Sequence, residues 1–255
     1  MDLSDQYWRL PIITRTLSTL VFAVSLGLHT GLLPDYFTYH PQLIARFPPQ
    51  IWRLVSCYCI TGPALSVVFD TYFCFQYTRQ LETGKFSRKE DLLWFLLFIG
   101  GVVHATNYFA ELYFGSYLPA LLIAMAYTVT QDQIGMQANF FFVTVPAQLT
   151  PFLMMGISLL FPGGVYVLLF QVQGLIAAHL YRFLTKIWPE IGGGKDLIPT
   201  PRFVSTLWGM LSGAGAIAGR ATAAAGGAAS GGSTGADRGP LPSSWRSRGP
   251  GQRLG

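Results

Sequence analysis

Between Ile12 and Leu184 the chain passes through a series of apolar stretches, most close to the length that crosses a bilayer, separated by short polar turns. A spanning helix needs about 20 largely apolar residues. Only 11% of the residues are charged, against roughly a quarter in a soluble domain. A chain of 28.0 kDa this poor in charge cannot cover its surface with polar groups, so much of that surface must face lipid. The fold class expected is an all-α, multi-pass membrane protein, and a nucleic-acid partner is not expected.

Six spans are predicted: Ile12–Leu33, Leu54–Tyr77, Leu92–Ala110, Tyr117–Thr130, Phe140–Phe161 and Val165–Leu184. The fourth is short, and the fifth contains Pro146 and Pro151, tolerable where neighbouring groups satisfy the freed carbonyls. Arg79, Lys85, Arg88 and Lys89 follow span two, and Lys186, Lys195 and Arg202 follow span six. The loops after spans three and five carry no Lys or Arg. This bias puts both termini in the cytosol. The N-terminus has mixed charge and no small-residue cleavage site, so it does not read as a signal peptide. Arg46 and Arg53, in the luminal loop Asp35–Arg53, run against the rule. That loop is rich in aromatics (Tyr36, Phe37, Tyr39, Phe47, Trp52), which favour the membrane interface. It is expected to lie partly embedded in the luminal leaflet, with Trp52 and Arg53 opening span two and engaging membrane and substrate.

Polar residues inside spans are costly and mark function by default. Asp70 lies in span two, and His104, Asn107 and Glu111 recur at helical spacing in span three. Two readings stand: these groups line a water-filled cavity used by a substrate, or they bind helices to one another. His179 in span six fits the second reading. Gly174 and Ala178 form a small-xxx-small pair that lets helices approach closely. Cys57, Cys59 and Cys74 share one span, which argues for buried apolar thiols over a disulfide framework. No HExxH, no Cys/His metal spacing and no GxSxG or GxSG occurs, so neither a metal nor another cofactor is expected and catalysis is disfavoured.

Several segments carry a resemblance: Ile51-Trp52-Arg53; Gln76-Tyr77 and Arg79; Leu81-Glu82-Thr83-Gly84-Lys85-Phe86; Asn139-Phe140-Phe141; and Gly174 to Tyr181. Over about residues 7–203 the chain resembles the derlins, rhomboid-like pseudoproteases of the endoplasmic reticulum. The resemblance implies a six-helix rhomboid-like bundle over 1–203. Active rhomboids carry a GxSG serine at the start of span four. In the similar stretch Gly115-Ser116-Tyr117-Leu118-Pro119, Leu118 falls at the nucleophile position, and Gln171 falls at that of the catalytic histidine. Leucine is no nucleophile, and proline has no amide to offer an oxyanion hole.

Residues 204–244 are mostly Gly, Ala and Ser, a flexible linker of the kind that behaves as a coil. Residues 245–255 end in Arg248-Gly249-Pro250-Gly251-Gln252-Arg253-Leu254-Gly255. This is similar to the SHP box, which binds the N-terminal domain of the valosin-containing AAA+ unfoldase. The resemblance assigns the contacts to Gly249, Gly251, Gln252, Arg253 and Leu254. Where the box has an aromatic just before its first glycine, this chain has Arg248, with Trp245 displaced. The function implied is non-catalytic retrotranslocation of misfolded proteins out of the endoplasmic reticulum, by thinning the bilayer or forming part of a channel. The partners implied are the unfoldase, a membrane-embedded ubiquitin ligase complex, misfolded clients and the lipid itself, with self-association left open. The competing readings are an active intramembrane serine protease and a small-solute transporter using Asp70 and the His104–Glu111 face.

Overall fold

A computed structural model of the chain describes residues 3–213, apart from 45, 46, 48, 64, 114, 134, 141, 142, 162, 193–196 and 211. The chain divides into two units, Met1–Trp208 and Gly209–Gly255. The described part lies almost wholly in the first. The terminal peptide Gly249, Gly251, Gln252, Arg253 and Leu254, with residues 214–244 of the linker before it, lies outside the described residues, whereas the first linker residues, 204–208, are helical.

Among the described residues the first unit contains α1 Leu3–Trp8, α2 Ile12–His29, α3 Pro41–Ile44, α4 Arg53–Ser56, α5 Leu65–Gln80, α6 Lys89–Ala110, α7 Leu118–Thr130, the hairpin of β1 Gln137–Phe140 and β2 Val143–Pro146, α8 Thr150–Ser158, α9 Gly164–Arg182 and α10 Trp188–Gly192. Residues 202–208 are also helical. Among the described residues, three helical stretches are long and apolar enough to cross a membrane: Ile12–His29, Lys89–Ala110 and Gly164–Ile191. They correspond to predicted spans one, three and six. Large apolar side chains on them point outward, including Leu20, Phe22, Leu97, Val165 and Tyr166. An exposed apolar surface of that kind belongs against lipid.

The other three predicted spans depart from single full-length helices. Span two is interrupted: α4 passes through the 3₁₀ turn Cys57–Cys59 and opens at Gly62-Pro63 before α5 begins. Proline carries no N–H and holds its predecessor extended, which accounts for the break. Span four is the 13-residue α7, about 20 Å long at 1.5 Å per residue against a hydrocarbon core of about 30 Å. Phe140–Phe161 is not one helix, which corrects both the fifth span and the purely helical class. Its first part pairs with Gln137–Asn139 as an antiparallel hairpin, with Gln137 opposite Pro146 and Phe140 opposite Val143. Beyond it come the 3₁₀ turn Ala147–Leu149 and the nine residues of α8. The β-branched run Val143-Thr144-Val145 favours the strand, and Pro146 ends it.

α7 is the centre of the unit. Twelve of its 13 residues are buried, and only Pro119 is not. A helix apolar all round belongs inside. Its alanines permit close neighbours: a Cβ added at Gly174 of α9 would stand 2.0 Å from the Ala120 carbonyl oxygen, so a side chain there would force the two backbones apart. The hydroxyls of Thr128 and Thr130 donate to the carbonyls of Ala124 and Ala126, 2.7 and 2.8 Å away, so α7 buries no free hydroxyl at those positions.

Candidate functional site

The loop before α4 is organised by Arg53. Its side chain is 2% exposed and donates to the carbonyls of Asp35 (3.1 Å) and Thr38 (2.7 Å) and to Gln50 Oε1 (2.5 Å). Ser56 donates to the Phe37 carbonyl, and the Tyr39 amide donates to the Gly115 carbonyl. An irregular segment must place its backbone polar groups somewhere, and here these side chains receive them. The Thr38 hydroxyl donates to Asp35 and, as the largest influence, holds that carboxyl below the ordinary aspartate range. The Trp52-Arg53 pair, expected to engage membrane and substrate together, therefore divides. Arg53 is internal, so its charge does not act as a free topological signal. Trp52 stays half-exposed, with its indole N–H donating to the Tyr36 carbonyl, and joins Tyr36, Phe47, Ile51 and Val55 in an exposed apolar surface.

His104 and Asn107 lie on α6, whereas Glu111 lies just past its end. His104 Nε2 meets the Leu54 carbonyl at 2.8 Å, and the ring sits among Tyr39, Tyr58 and Tyr117 at centroid distances of 5.2–5.4 Å. Asn107 is fully buried, its amide donating to the Val103 carbonyl. Glu111 is exposed beyond the end of α6, in the left-handed region at φ 52°. Helical spacing put the three on one face, but α6 stops at Ala110 and Glu111 leaves it.

Asp70 instead lines a cavity of about 440 Å³ between α5, α7, α8 and α9. Its walls are mainly apolar, with Phe69, Phe73, Leu122 and Ile157 among them, and its polar groups are Ser66, Asp70, Ser158 and Gln171. Ser66 and Asp70, four apart on α5, share a face. The carboxylate accepts the Gly62 amide at 3.4 Å, one of the donors freed by the break before α5. Ser158 donates to Gln171 Oε1 at 2.8 Å. Pro119, next to Leu118, also reaches the cavity. Ser66, Ser158 and Gln171 were not singled out as a group from sequence, because they lie on three helices and meet only through packing.

Each of the four histidines is engaged with something other than a serine. His29 meets the Thr61 carbonyl (3.2 Å), His40 meets Asp35 (3.4 Å), His104 the Leu54 carbonyl, and His179 the Tyr127 hydroxyl (2.9 Å). His179 thereby joins α9 to α7. Ala178 beside it is fully buried. Among the described residues, no three His, Cys, Asp or Glu side chains gather in a way that could hold a metal ion.

At the opposite end of α7, the tight turn Leu81–Lys85 ties three helices. Glu82 accepts the amides of Ile13 (3.2 Å) and Thr14 (2.8 Å) and the Thr14 hydroxyl (2.8 Å) at the start of α2. Lys85 donates to the Thr128 carbonyl (3.1 Å) and to Asp132 (2.5 Å) at the end of α7. A carboxylate thus sits at a helix N-terminus and an ammonium at a helix C-terminus, the arrangement that helix dipoles favour. Burial lowers the Lys85 pKa, and the bond to Asp132 opposes that shift. Phe86 packs on Phe95 at 5.6 Å between ring centroids.

Arg53, Glu82, Lys85, Gly174 and His179, among the residues that carry the sequence resemblance, sit at joints of this fold, and comparison with known proteins agrees with that resemblance. Derlin-1 of Bos taurus is 30% identical over 211 residues, covering 80% of this chain and 81% of the relative. Derlin-1 of Homo sapiens is 30% identical over the same length and shares. Derlin-2.2 of Zea mays is 28% identical over 219 residues, covering 80% of this chain and 85% of the relative. Residues 10–202 match the Der1-like family, and the chain belongs to that family.

Proposed function

We propose that the chain is a non-catalytic factor in the retrotranslocation of misfolded proteins from the endoplasmic reticulum, lowering the membrane barrier and recruiting an ATP-driven unfoldase through its C-terminal peptide. Family membership supports the broader role in endoplasmic-reticulum-associated degradation, carried out by a multi-pass membrane protein. The observation that carries the finer reading is the pairing of two short helices, the 13-residue α7 and nine-residue α8, with the polar-floored cavity beside them. Elements shorter than the hydrocarbon core draw the bilayer in at a cost of fractions of a kcal/mol per ångström, and a thinner barrier is easier for a polar chain to cross. The exposed aromatics around Trp52 support the same reading from the luminal interface. Both termini are assigned to the cytosol, with a six-span topology in which α5, α7 and α8 are the short or broken crossings.

The protease alternative gains nothing from the geometry. Ser158 has a glutamine for its partner, and a serine needs a base within hydrogen-bond reach to act as a nucleophile. The transporter alternative gains no support from Glu111, which is exposed just past the end of α6.

Deleting Trp245–Gly255 is the test of recruitment. The truncated chain is expected to insert normally and to lose co-purification of the valosin-containing AAA+ unfoldase, and retained co-purification would sink that part of the proposal. Bilayer thickness around the protein in nanodiscs, imaged directly, tests the other part: an unthinned bilayer beside α7 and α8 would refute it.

A further inference from the structure

Asp70 has a position that the cavity alone does not explain. It follows Leu65, the first residue of α5, by five residues and precedes Arg79 by nine. At 1.5 Å per residue it lies about 13 Å along the helix from Arg79. With Arg79 at the cytosolic boundary of a core about 30 Å thick, that is close to the midplane. Among the described residues no Lys, Arg or His is within ion-pair distance of it. Among the described residues no basic side chain lines the cavity, and Asp70 is the only charged one that does. Its hydrogen bond to the Gly62 amide is long, at 3.4 Å. An uncompensated carboxylate at this depth is expensive and calls for a partner.

We infer that this cavity receives a membrane-inserted client helix through a basic side chain near the middle of its span, which pairs with Asp70. This rests on the retrotranslocation reading and names the class of client it favours: apolar helices carrying one misplaced Lys or Arg. The charge selects a cation. The apolar walls select an occupant that is otherwise greasy. The depth separates a peptide from a lipid, because a lipid ammonium sits at the headgroup level, about 15 Å from the midplane. Ser66 and Ser158 supply further oxygen acceptors for an ammonium or guanidinium. A lone Lys or Arg at mid-span is also a mark of a membrane protein that has lost its assembly partner, so selecting it would select orphans.

The test uses the full-length chain in phosphatidylcholine nanodiscs and three synthetic single-span helices: all leucine, leucine with a central Lys, and leucine with the Lys three residues from one end. Association is read by fluorescence energy transfer. The central-Lys helix is expected to bind on the order of tenfold more tightly than the all-leucine helix, as close charge pairs do, and the end-Lys helix is expected to show no such gain. Asp70→Asn, which keeps an oxygen for the Gly62 amide, should erase the gain of the central-Lys helix over the all-leucine helix. Asp70→Lys should transfer it to a helix with a central Glu. Equal binding of the three helices to the wild-type protein would overturn the inference without any variant, as would a gain that survives in Asp70→Asn. Loss of the gain on replacing phosphatidylcholine by phosphatidylethanolamine would give the site to a lipid ammonium and overturn it equally. Failure of the all-leucine helix to bind at all would count against client engagement itself, a different outcome from losing only the Lys preference.

Discussion

Replacing Glu82 tests whether the tight turn before α6 holds the helices together. The first turn of α2 has amides without helical partners, and its N-cap is Pro11, which offers no side-chain acceptor. Glu82 supplies one from 69 residues away, accepting two amides and one hydroxyl from Ile13 and Thr14, which are 4% and 0% exposed. Glu82→Ala leaves both amides unsatisfied, at about 1–3 kcal/mol each, and removes a charge favoured by the helix dipole by about 0.3–1 kcal/mol. Glu82 is only half-buried, so water recovers part of this, and a net loss of about 3 kcal/mol is expected. Glu82→Gln keeps one acceptor oxygen but turns an amide donor toward the other N–H, for a loss of about 1–2 kcal/mol. Unfolding free energy in mixed micelles, by denaturing-detergent titration, gives the ordering wild type, Gln, Ala. Thr14→Val, combined with Glu82→Ala in a double-mutant cycle, should show a coupling above about 0.5 kcal/mol. A Glu82→Ala protein within about 0.5 kcal/mol of wild type, the range of an inert surface change, with an additive cycle, would refute the clamp.

Gly174→Val should cost more than about 3 kcal/mol by overpacking against Ala120, read as lost resistance to denaturing detergent. Gly101→Ala, in open space on α6, should be neutral or stabilising by up to about 1 kcal/mol. Arg53→Ala should expose the Asp35–Arg53 loop to protease, because two carbonyls lose their donor, whereas Trp52→Ala should leave protease resistance intact and reduce only the quenching of loop fluorescence by brominated lipid. Asp35 has a folded pKa depressed below its ordinary 3.8, so its contribution is present above 3.8 and lost as pH falls through the lower folded value. Amide exchange of residues 35–40 should therefore accelerate only below about pH 4, the ordinary aspartate range, and a rise beginning well above it would refute the assignment.

The three long helices were legible from hydropathy because each is an unbroken run whose outer face meets lipid. The short α7 was legible too: its apolar run fades by Thr130, and the helix ends there. The hairpin was not. Hydropathy reads Phe140–Phe161 as one apolar stretch, and only Pro146 together with the β-branched run before it signals two conformations. The polar residues divide along a similar line. His179 and Gly174 both lie on α9 where it meets α7, within an unbroken helix that hydropathy marks, so neither depends on a break in the chain. Glu111 needed the end of α6, and Arg53 needed the path of a loop, neither of which periodicity encodes. The cavity was least legible, since Ser66, Ser158 and Gln171 are ordinary polar residues until α5, α8 and α9 bring them to one space.

This division bears on what the family resemblance means. Its most specific segment, Leu81–Phe86, is a clamp: a buried leucine, a carboxylate for one helix, an ammonium for another and a phenylalanine for the core. Arg53 stitches a loop, Gly174 permits a close approach, and His179 bonds across it. Each of these contacts serves packing in this fold, so these residues speak to architecture and leave function open. A charge at Asp70 contributes nothing comparable to packing: its one hydrogen bond is long, and a neutral amide oxygen could accept the same N–H. A residue that burial penalises and the fold does not need is one whose presence a ligand must explain. The clamp and the cavity therefore predict opposite signatures. Substitution at Glu82 should lower stability and carry client handling down with it, whereas Asp70→Asn should leave stability unchanged or raised and alter only which clients are held.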